Sequence, residues 1–320
     1  MNLPKKINLA NLPTPLEELA YKGKKFFIKR DDYTGLEFSG NKIRKLEYLL
    51  YQAKRSKTDV IFTCGGTQSN HCRATASAAA RLGIKTRLFL WGNDSNIAQG
   101  NLLLDKIYGA EISFLNKKNY LNVNGIMTEE HEKLKKQNKN VYVIPEGGST
   151  TLGIWGYVSF IDELKKQIDL KKIDGILCAA GTGGTAAGML VGAAINKINL
   201  KILAVNVLYT KEELKRKIML LAEGCIAGYK LNVKMNESNL EIIDGYSTEG
   251  YKNITDKKVK LINDFARSTG IILDPAYTGK AFNAYYDNSL TKGKGKKVIF
   301  LHSGGMFGVF ANNGKYLRNL

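Results

Sequence analysis

The stretch Leu177 to Ile195, L-C-A-A-G-T-G-G-T-A-A-G-M-L-V-G-A-A-I, runs nineteen residues without a charge. An apolar run of that length is buried, either in a membrane or in a protein core. Five glycines and two threonines make it a poor membrane span. It reads instead as a strand, a glycine turn and a helix inside a soluble core. That is the layout by which an open α/β sheet covered by helices holds a ligand at its strand ends.

The rest of the chain alternates in the same way, which points to an α/β fold with mainly parallel, twisted sheets flanked by helices. Strands are expected at Phe26–Lys29, Asp59–Cys64, Thr86–Trp91, Glu111–Leu115 and Val141–Pro145. Between them fall the helix beginning at Lys42, with apolar Ile43, Leu46, Leu49, Leu50 and Ala53 at helical spacing, and helices Ser69–Leu82, Ile97–Tyr108 and Ile126–Gln137. After Pro145, E-G-G-S-T-T-L-G is dense in turn residues and reads as a hinge. A second run follows: helix Ile154–Gln167, strand Gly175–Ala180, helix Thr185–Ile195, strand Ile202–Val207 and a last strand Val298–His302. The charge-rich segment Lys292–Lys297 reads as a surface loop. At 320 residues the chain is long enough for two α/β domains. A smaller domain of residues 39–150 is expected within a larger one built from residues 1–38 and 151–320, with the chemistry in the cleft between them.

The net charge of +19 first suggests nucleic acid. The lysines, however, are scattered over helix faces and loops (Lys54, Lys57, Lys133, Lys135, Lys136, Lys165, Lys166) and not interleaved with aromatics in one groove. A solvated surface that attracts small anions explains them better. Four cysteines without paired spacing (Cys64, Cys72, Cys178, Cys225) and three histidines (His71, His131, His302) indicate neither a zinc site nor a disulfide framework, and fit a reducing cytoplasm. The N-terminal M-N-L-P-K-K-I-N-L-A lacks an apolar signal core. No membrane partner is expected.

Three turns carry candidate chemistry. In F-S-G-N-K-I-R-K-L-E-Y-L-L, a Gly-Asn pair sets Lys42 at the positive end of a helix, where its neutral, nucleophilic form is favoured and a Schiff base is within reach. Taken alone, Lys42 reads more simply as an ordinary lysine following a helix cap, and it is the two glycine turns at Cys178–Gly188 and Phe300–Gly305 that reverse this. The G-T-G-G-T turn, Gly181 to Thr185, offers backbone N–H groups and two hydroxyls at a helix N-terminus, a nest fit for phosphate. It also satisfies G-x-G-x-x-A, so a nicotinamide oxidoreductase is the rival. That enzyme needs an acidic residue about 20 positions on, where this chain has Val205, Asn206 and Val207. Pyridoxal phosphate supplies a phosphate without a ribose, and an aldehyde for Lys42. In C-G-G-T-Q-S-N-H, Ser69 caps a helix and can also offer its hydroxyl to a substrate. Tyr277 lies in L-D-P-A-Y-T-G-K-A and Tyr251 in E-G-Y-K, and for an isolated tyrosine a packed ring is the commoner reading.

These segments, with P-E-G-G-S-T-T-L-G-I-W-G-Y (Pro145 to Tyr157) and H-S-G-G, resemble the D-cysteine desulfhydrase and 1-aminocyclopropane-1-carboxylate deaminase family, in family order from Pro13 to Gly305. The resemblance implies a pyridoxal-phosphate enzyme of fold type II, taking a small amino acid and assembling as a homodimer. It implies that Lys42 holds the cofactor, Asn70 contacts its phenolic oxygen, Gly181, Thr182, Gly183, Gly184 and Thr185 hold its phosphate, and Ser303 faces its pyridine nitrogen. Ser69 and Gln68 would meet the substrate carboxylate, with Tyr251 and Tyr277 lining the pocket; Lys42, Ser69, Tyr277 and Tyr251 are the candidate catalytic groups. Deaminases of the family resemble Tyr-Glu where this chain has Tyr277-Thr278, and His-Leu-Gly-Gly where it has His302 to Gly305. Both differences favour a carbon-sulfur lyase acting on D-cysteine. The chain departs from the family in reading Phe-Ser-Gly-Asn-Lys for Gly-Gly-Asn-Lys, and in a short Gly92–Gly100 segment.

Overall fold

The computed structural model describes residues 3–94, 97–250, 253–292 and 297–320. The Lys292–Lys297 loop expectation falls largely outside them. In chain order, β1 (Leu16–Tyr21) and β2 (Lys24–Arg30) lead to α1 (Lys42–Arg55). Then come β3 (Val60–Gly66), α2 (Asn70–Arg81), β4 (Lys85–Trp91), α3 (Gly100–Ile107), β5 (Glu111–Leu115), α4 (Lys117–Tyr120), α5 (Val123–Lys135) and β6 (Val141–Val143). The second half runs α6 (Trp155–Lys165), β7 (Gly175–Ala180), α7 (Gly184–Ile195), β8 (Lys201–Asn206), α8 (Lys211–Gly228), β9 (Leu240–Ile243), α9 (Asp256–Thr269), α10 (Thr278–Tyr285), β10 (Val298–His302), α11 (Phe307–Phe310) and α12 (Asn313–Leu317).

Among the described residues these strands form two sheets, ordered β1-β2-β10-β7-β8-β9 and β5-β4-β3-β6. Every pairing is parallel except β1 with β2. Strand β7 is buried along its whole length because helices cover both faces of its sheet, and this is why it reads as a continuous apolar run. The uncharged stretch Leu177–Ile195 is β7 and α7 wrapped in core, and no helix among the described residues is long and apolar enough to cross a membrane.

Two strands of the first sheet were not expected. L-E-E-L-A-Y forms β1, a charged edge strand whose two adjacent glutamates break the alternation, and L-E-I-I forms the other edge, β9. Helix α3 starts at Gly100 rather than near Ile97, where the Gln68 side-chain carbonyl accepts the Asn101 N–H at 3.0 Å. The E-G-G-S segment is a packed turn: Gly147 (φ 70°) and Gly148 (φ 60°) are buried and take left-handed backbone, with Gly147 against Thr182.

Helix α1 packs on α2 at one side and α6 at the other, so it joins the two sheets. Its Arg44 is 1% exposed and fully paired. Nε and Nη2 donate to Asp31 at 2.9 and 2.8 Å, and Nη1 and Nη2 donate to Glu163 at 2.8 and 2.9 Å. Lys29 donates to Glu163 at 2.6 Å, and the Tyr157 hydroxyl to Asp31 at 2.5 Å. This network anchors α1 to Asp31 at the end of β2 and to Glu163 of α6.

Candidate active site

Lys42 is the first residue of α1, and the turn before it is held from two sides. The Thr34 hydroxyl accepts the Gly40 N–H at 2.9 Å, and the Asn41 N–H donates to the Ser303 carbonyl at 3.1 Å. Gly40 has φ +107°, and a Cβ there would stand 2.5 Å from the Ser303 oxygen, so only glycine permits this approach. Asn41 donates through Nδ2 to Thr185 Oγ1 at 3.0 Å and accepts from Lys42 Nζ at 2.9 Å, linking the amine to the start of α7. Burial, aided by the positive charge of Arg73, pulls the Lys42 amine down to about 8, while Asp274 and Glu146 oppose the shift. The amine also lies 5.8 Å from the centre of the Tyr277 ring.

The G-T-G-G-T turn leaves β7 and opens α7, with Gly183 in left-handed backbone (φ +84°) at the cap. Thr182 Oγ1 and Ser149 Oγ are 2.7 Å apart. A Cβ on Gly184 would lie 2.5 Å from Ser149 Oγ and 2.7 Å from Lys45 Nζ. Lys45 was not singled out from the sequence, yet its buried amine donates to the Gly147 carbonyl and to Ser149 Oγ, both at 3.2 Å, with no carboxylate partner. Burial, with the charge of Lys42 behind it, depresses its pKa well below the usual lysine range. The i, i+3 spacing of Lys42 and Lys45 was the available signal, since it sets both on one helix face. Helix-terminal N–H groups, three hydroxyls and a spare amine form a donor set suited to a phosphate dianion.

At the third turn Ser69 caps α2, its Oγ accepting the Cys72 N–H at 3.2 Å. Asn70 Oδ1 accepts from Asn101 at 2.9 Å. The Gln68 amide is engaged with Asn101 N and the Gln99 carbonyl (2.9 Å), and faces a neighbouring cavity. The Thr278 hydroxyl is buried, donating to Asp274 at 2.6 Å. Tyr251 lies outside the described residues.

Lys42, Ser69, Asn70, Tyr277, Ser303 and the Gly181–Thr185 turn all line one cavity of about 470 Å³ between the two sheets. Sequence reasoning missed Glu146, Tyr120 and His71 as polar members of its wall. Glu146, raised above the usual carboxylate range by burial, accepts from the Tyr120 hydroxyl at 3.3 Å. His71 bonds Thr63 Oγ1 through Nε2 at 2.8 Å, and its buried Nδ1 has no partner. Burial, then the charges of Lys42 and Lys45, hold the ring neutral.

Residues 7–304 match the family described as pyridoxal-phosphate dependent enzyme. The chain belongs to that family. It is 39% identical to a Thermotoga maritima protein named "Putative 1-aminocyclopropane-1-carboxylate deaminase", over 96% of this chain and 98% of that one. It is 35% identical to the mitochondrial bifunctional D-cysteine desulfhydrase/1-aminocyclopropane-1-carboxylate deaminase of Arabidopsis thaliana, over 95% of this chain and 79% of that one. The crystal structure of an ACC deaminase homologue superimposes with a TM-score of 0.91 at 36% identity, covering 99% of this chain and 97% of that one. The fold is therefore type II of the pyridoxal-phosphate enzymes, and pyridoxal phosphate is the cofactor. The site fits it: a phosphate cradle that a single Cβ at Gly184 would fill, and a low-pKa amine joined to that cradle through Asn41.

Proposed function

We propose that this protein is a β-elimination lyase that converts D-cysteine, or a close β-substituted amino acid, with water to pyruvate, ammonia and hydrogen sulfide. When bound, pyridoxal phosphate supplies an aldehyde for amines and withdraws electrons from Cα of an attached amino acid. The chain's own groups supply the rest. Lys42 would hold the cofactor and, as a free amine, would take the Cα proton; a base with a pKa of about 8 is matched to neutral or mildly alkaline solution. Ser69, at the N-terminus of α2, offers its hydroxyl and the helix dipole to the substrate carboxylate. Asn70 lies beside it, and Tyr277 borders the amine. The Cα–H electron pair then displaces the β-substituent, the Cβ–S bond breaks with both electrons going to sulfur, and the enamine left behind hydrolyses.

The observation that carries the choice of substrate lies at positions 278 and 303. The position where deaminases resemble Glu is here a threonine whose hydroxyl is bonded back to Asp274, and Ser303 brings a neutral group to the cavity wall. Such a site favours a substituent that leaves unaided. A thiol with a pKa of about 8.5 departs as thiolate far more readily than hydroxide, whose conjugate acid has a pKa of about 15.7.

The second reading, opening of the cyclopropane amino acid to ketobutyrate, is favoured by the name of the Thermotoga maritima relative, while the Arabidopsis thaliana name carries both activities. Feeding the purified holoenzyme each substrate and measuring sulfide, pyruvate and ketobutyrate separates the two. The expected result is sulfide and pyruvate from D-cysteine with almost no ketobutyrate. Comparable rates would overturn the assignment, and a preference for L-cysteine would remove its stereochemistry while leaving the elimination standing.

A further inference from the structure

Arg73, on α2, is fully buried beside this site, and no role falls to it in the chemistry above. Its guanidinium has three partners, none of them a carboxylate. Nη1 donates to the Glu37 carbonyl, Nη2 to the Ser39 carbonyl at 3.0 Å, and Nε to Asn101 Oδ1 at 3.2 Å, while the ring of Phe307 lies 5.0 Å beneath it. The two carbonyls belong to the turn that ends in Gly40, Asn41 and Lys42. The third partner, Asn101, uses its own Nδ2 to hold the Gln68 carbonyl at 3.0 Å and Asn70 Oδ1 at 2.9 Å, and its N–H to hold Gln68 Oε1. One guanidinium and one amide thus register the Lys42 turn against the Ser69-Asn70 turn.

The charge itself is unexplained by packing. Asp105, which faces Arg73 from α3, has both carboxylate oxygens buried without a hydrogen-bond partner, and burial pushes it well above the usual carboxylate range although Arg73 opposes the shift. Arg73, lowered only to about 10 by its burial, keeps its proton at neutral pH. A neutral side chain could take up the same space without the desolvation that a buried cation suffers. The planar fork matches two carbonyls of one turn in a way that a lysine cannot.

We propose that Arg73 is the positioning residue of Lys42, clamping the Glu37–Asn41 turn onto α2 and keeping a fixed positive charge beside the amine. Of the other groups facing that amine, Asp274 and Glu146 favour its charged form, while Lys45 and His71 have their own pKa values lowered, by burial first and then by the charge of Lys42. Burial is the larger push toward the free base, and Arg73 is the cation that adds to it. This rests on Lys42 as the point of cofactor attachment.

The test is covalent capture of pyridoxal phosphate by the full-length protein after the cofactor has been stripped, followed by absorbance from neutral to alkaline pH, together with hydrogen exchange at the Gly40 and Asn41 amides. Wild-type capture should rise through a midpoint of about 8. In Arg73→Gln the midpoint should move up by about one pH unit, slowing capture at neutral pH about tenfold. In Arg73→Lys the charge stays and the fork is lost, so the midpoint should hold while exchange at both amides accelerates. A wild-type midpoint in Arg73→Gln, or wild-type exchange in Arg73→Lys, overturns the proposal. If Arg73→Gln fails to fold, Phe307→Leu loosens the same guanidinium, and unaltered exchange there is equally fatal. Capture by Lys42→Ala would instead show that the attachment site was misassigned, with the exchange measurements still deciding whether the clamp exists.

Discussion

Two clusters of buried charge lie along helix α1 and are built on opposite terms. Arg44 is satisfied on every side, with two carboxylates, the Thr14 hydroxyl at 3.1 Å and Lys29 sharing Glu163. Lys42 and Lys45, in the same four-residue K-I-R-K segment, have side-chain amide, hydroxyl and backbone oxygens for partners and no carboxylate. Burying a cation with its counter-ions builds a joint; burying one without them stores a demand for an anion or for loss of a proton. The paired arginine orients the helix, and the unpaired lysines remain available to a phosphate and an aldehyde. If this contrast is real, substitutions in the two clusters will fail in different ways.

The largest effect is expected at Lys42. Lys42→Ala should abolish turnover and leave no cofactor bound through a borohydride-reducible link, while unfolding at a temperature close to wild type. A mutant still labelled through the cofactor after borohydride treatment would show that another lysine is the attachment site.

Arg44→Met should do the reverse. Removing one partner of a buried ion network typically costs about 3–5 kcal/mol, because Asp31 is then left without a cation and Glu163 keeps only Lys29. Chemical denaturation should show that loss, with activity per folded molecule largely retained below the transition. A fall in activity greater than the fall in folded fraction would mean that the orientation of Lys42 depends on Arg44 more tightly than the contrast allows.

The same segment shows how far the sequence could be read. Lys42 was legible because a Gly-Asn turn and a helical apolar period locate it, and the phosphate nest because glycines between a β run and a helix have few other uses. The separate fates of Arg44 and Lys45 were not legible, since their partners come from far along the chain: Glu163 lies 119 residues beyond Arg44, and Ser149 lies 104 beyond Lys45. Glu146 appeared only as part of a turn, because nothing local says that its carboxyl enters a cavity. Strands β1 and β9 were missed for a different reason, as edges with charged residues that lack the apolar signature of their buried neighbours.

Acid should sharpen the comparison. Glu163 is drawn down to about 2 because hydrogen bonds and ion pairs from Arg44 and Lys29 outweigh its desolvation. Its folded pKa is below its unfolded value of about 4.3, so its stabilisation is complete above that value and is lost as pH falls toward about 2. The expected loss is about 3 kcal/mol at most, and Glu163→Gln should flatten that part of the stability curve. A curve in the mutant parallel to wild type between those pH values would place the acid sensitivity elsewhere.

Ser69 is the residue where structure and chemistry meet, and its test separates the two most finely. Its hydroxyl accepts the Cys72 N–H as the cap of α2 and also lines the cavity. Ser69→Ala should remove about 1 kcal/mol from stability, the usual cost of a lost cap. On the proposed chemistry it should also lower turnover about 10²-fold, while the cofactor stays bound through the separate cradle at Gly181–Thr185. Ser69→Thr keeps an oxygen at the cap, so it should recover the stability, but it adds a methyl group to a side chain of the cavity wall and should leave turnover low. If alanine costs the stability and activity falls only as the folded fraction does, Ser69 is a cap and nothing more. The carboxylate of the substrate would then have to be held by Asn70 or by the α2 N–H groups alone.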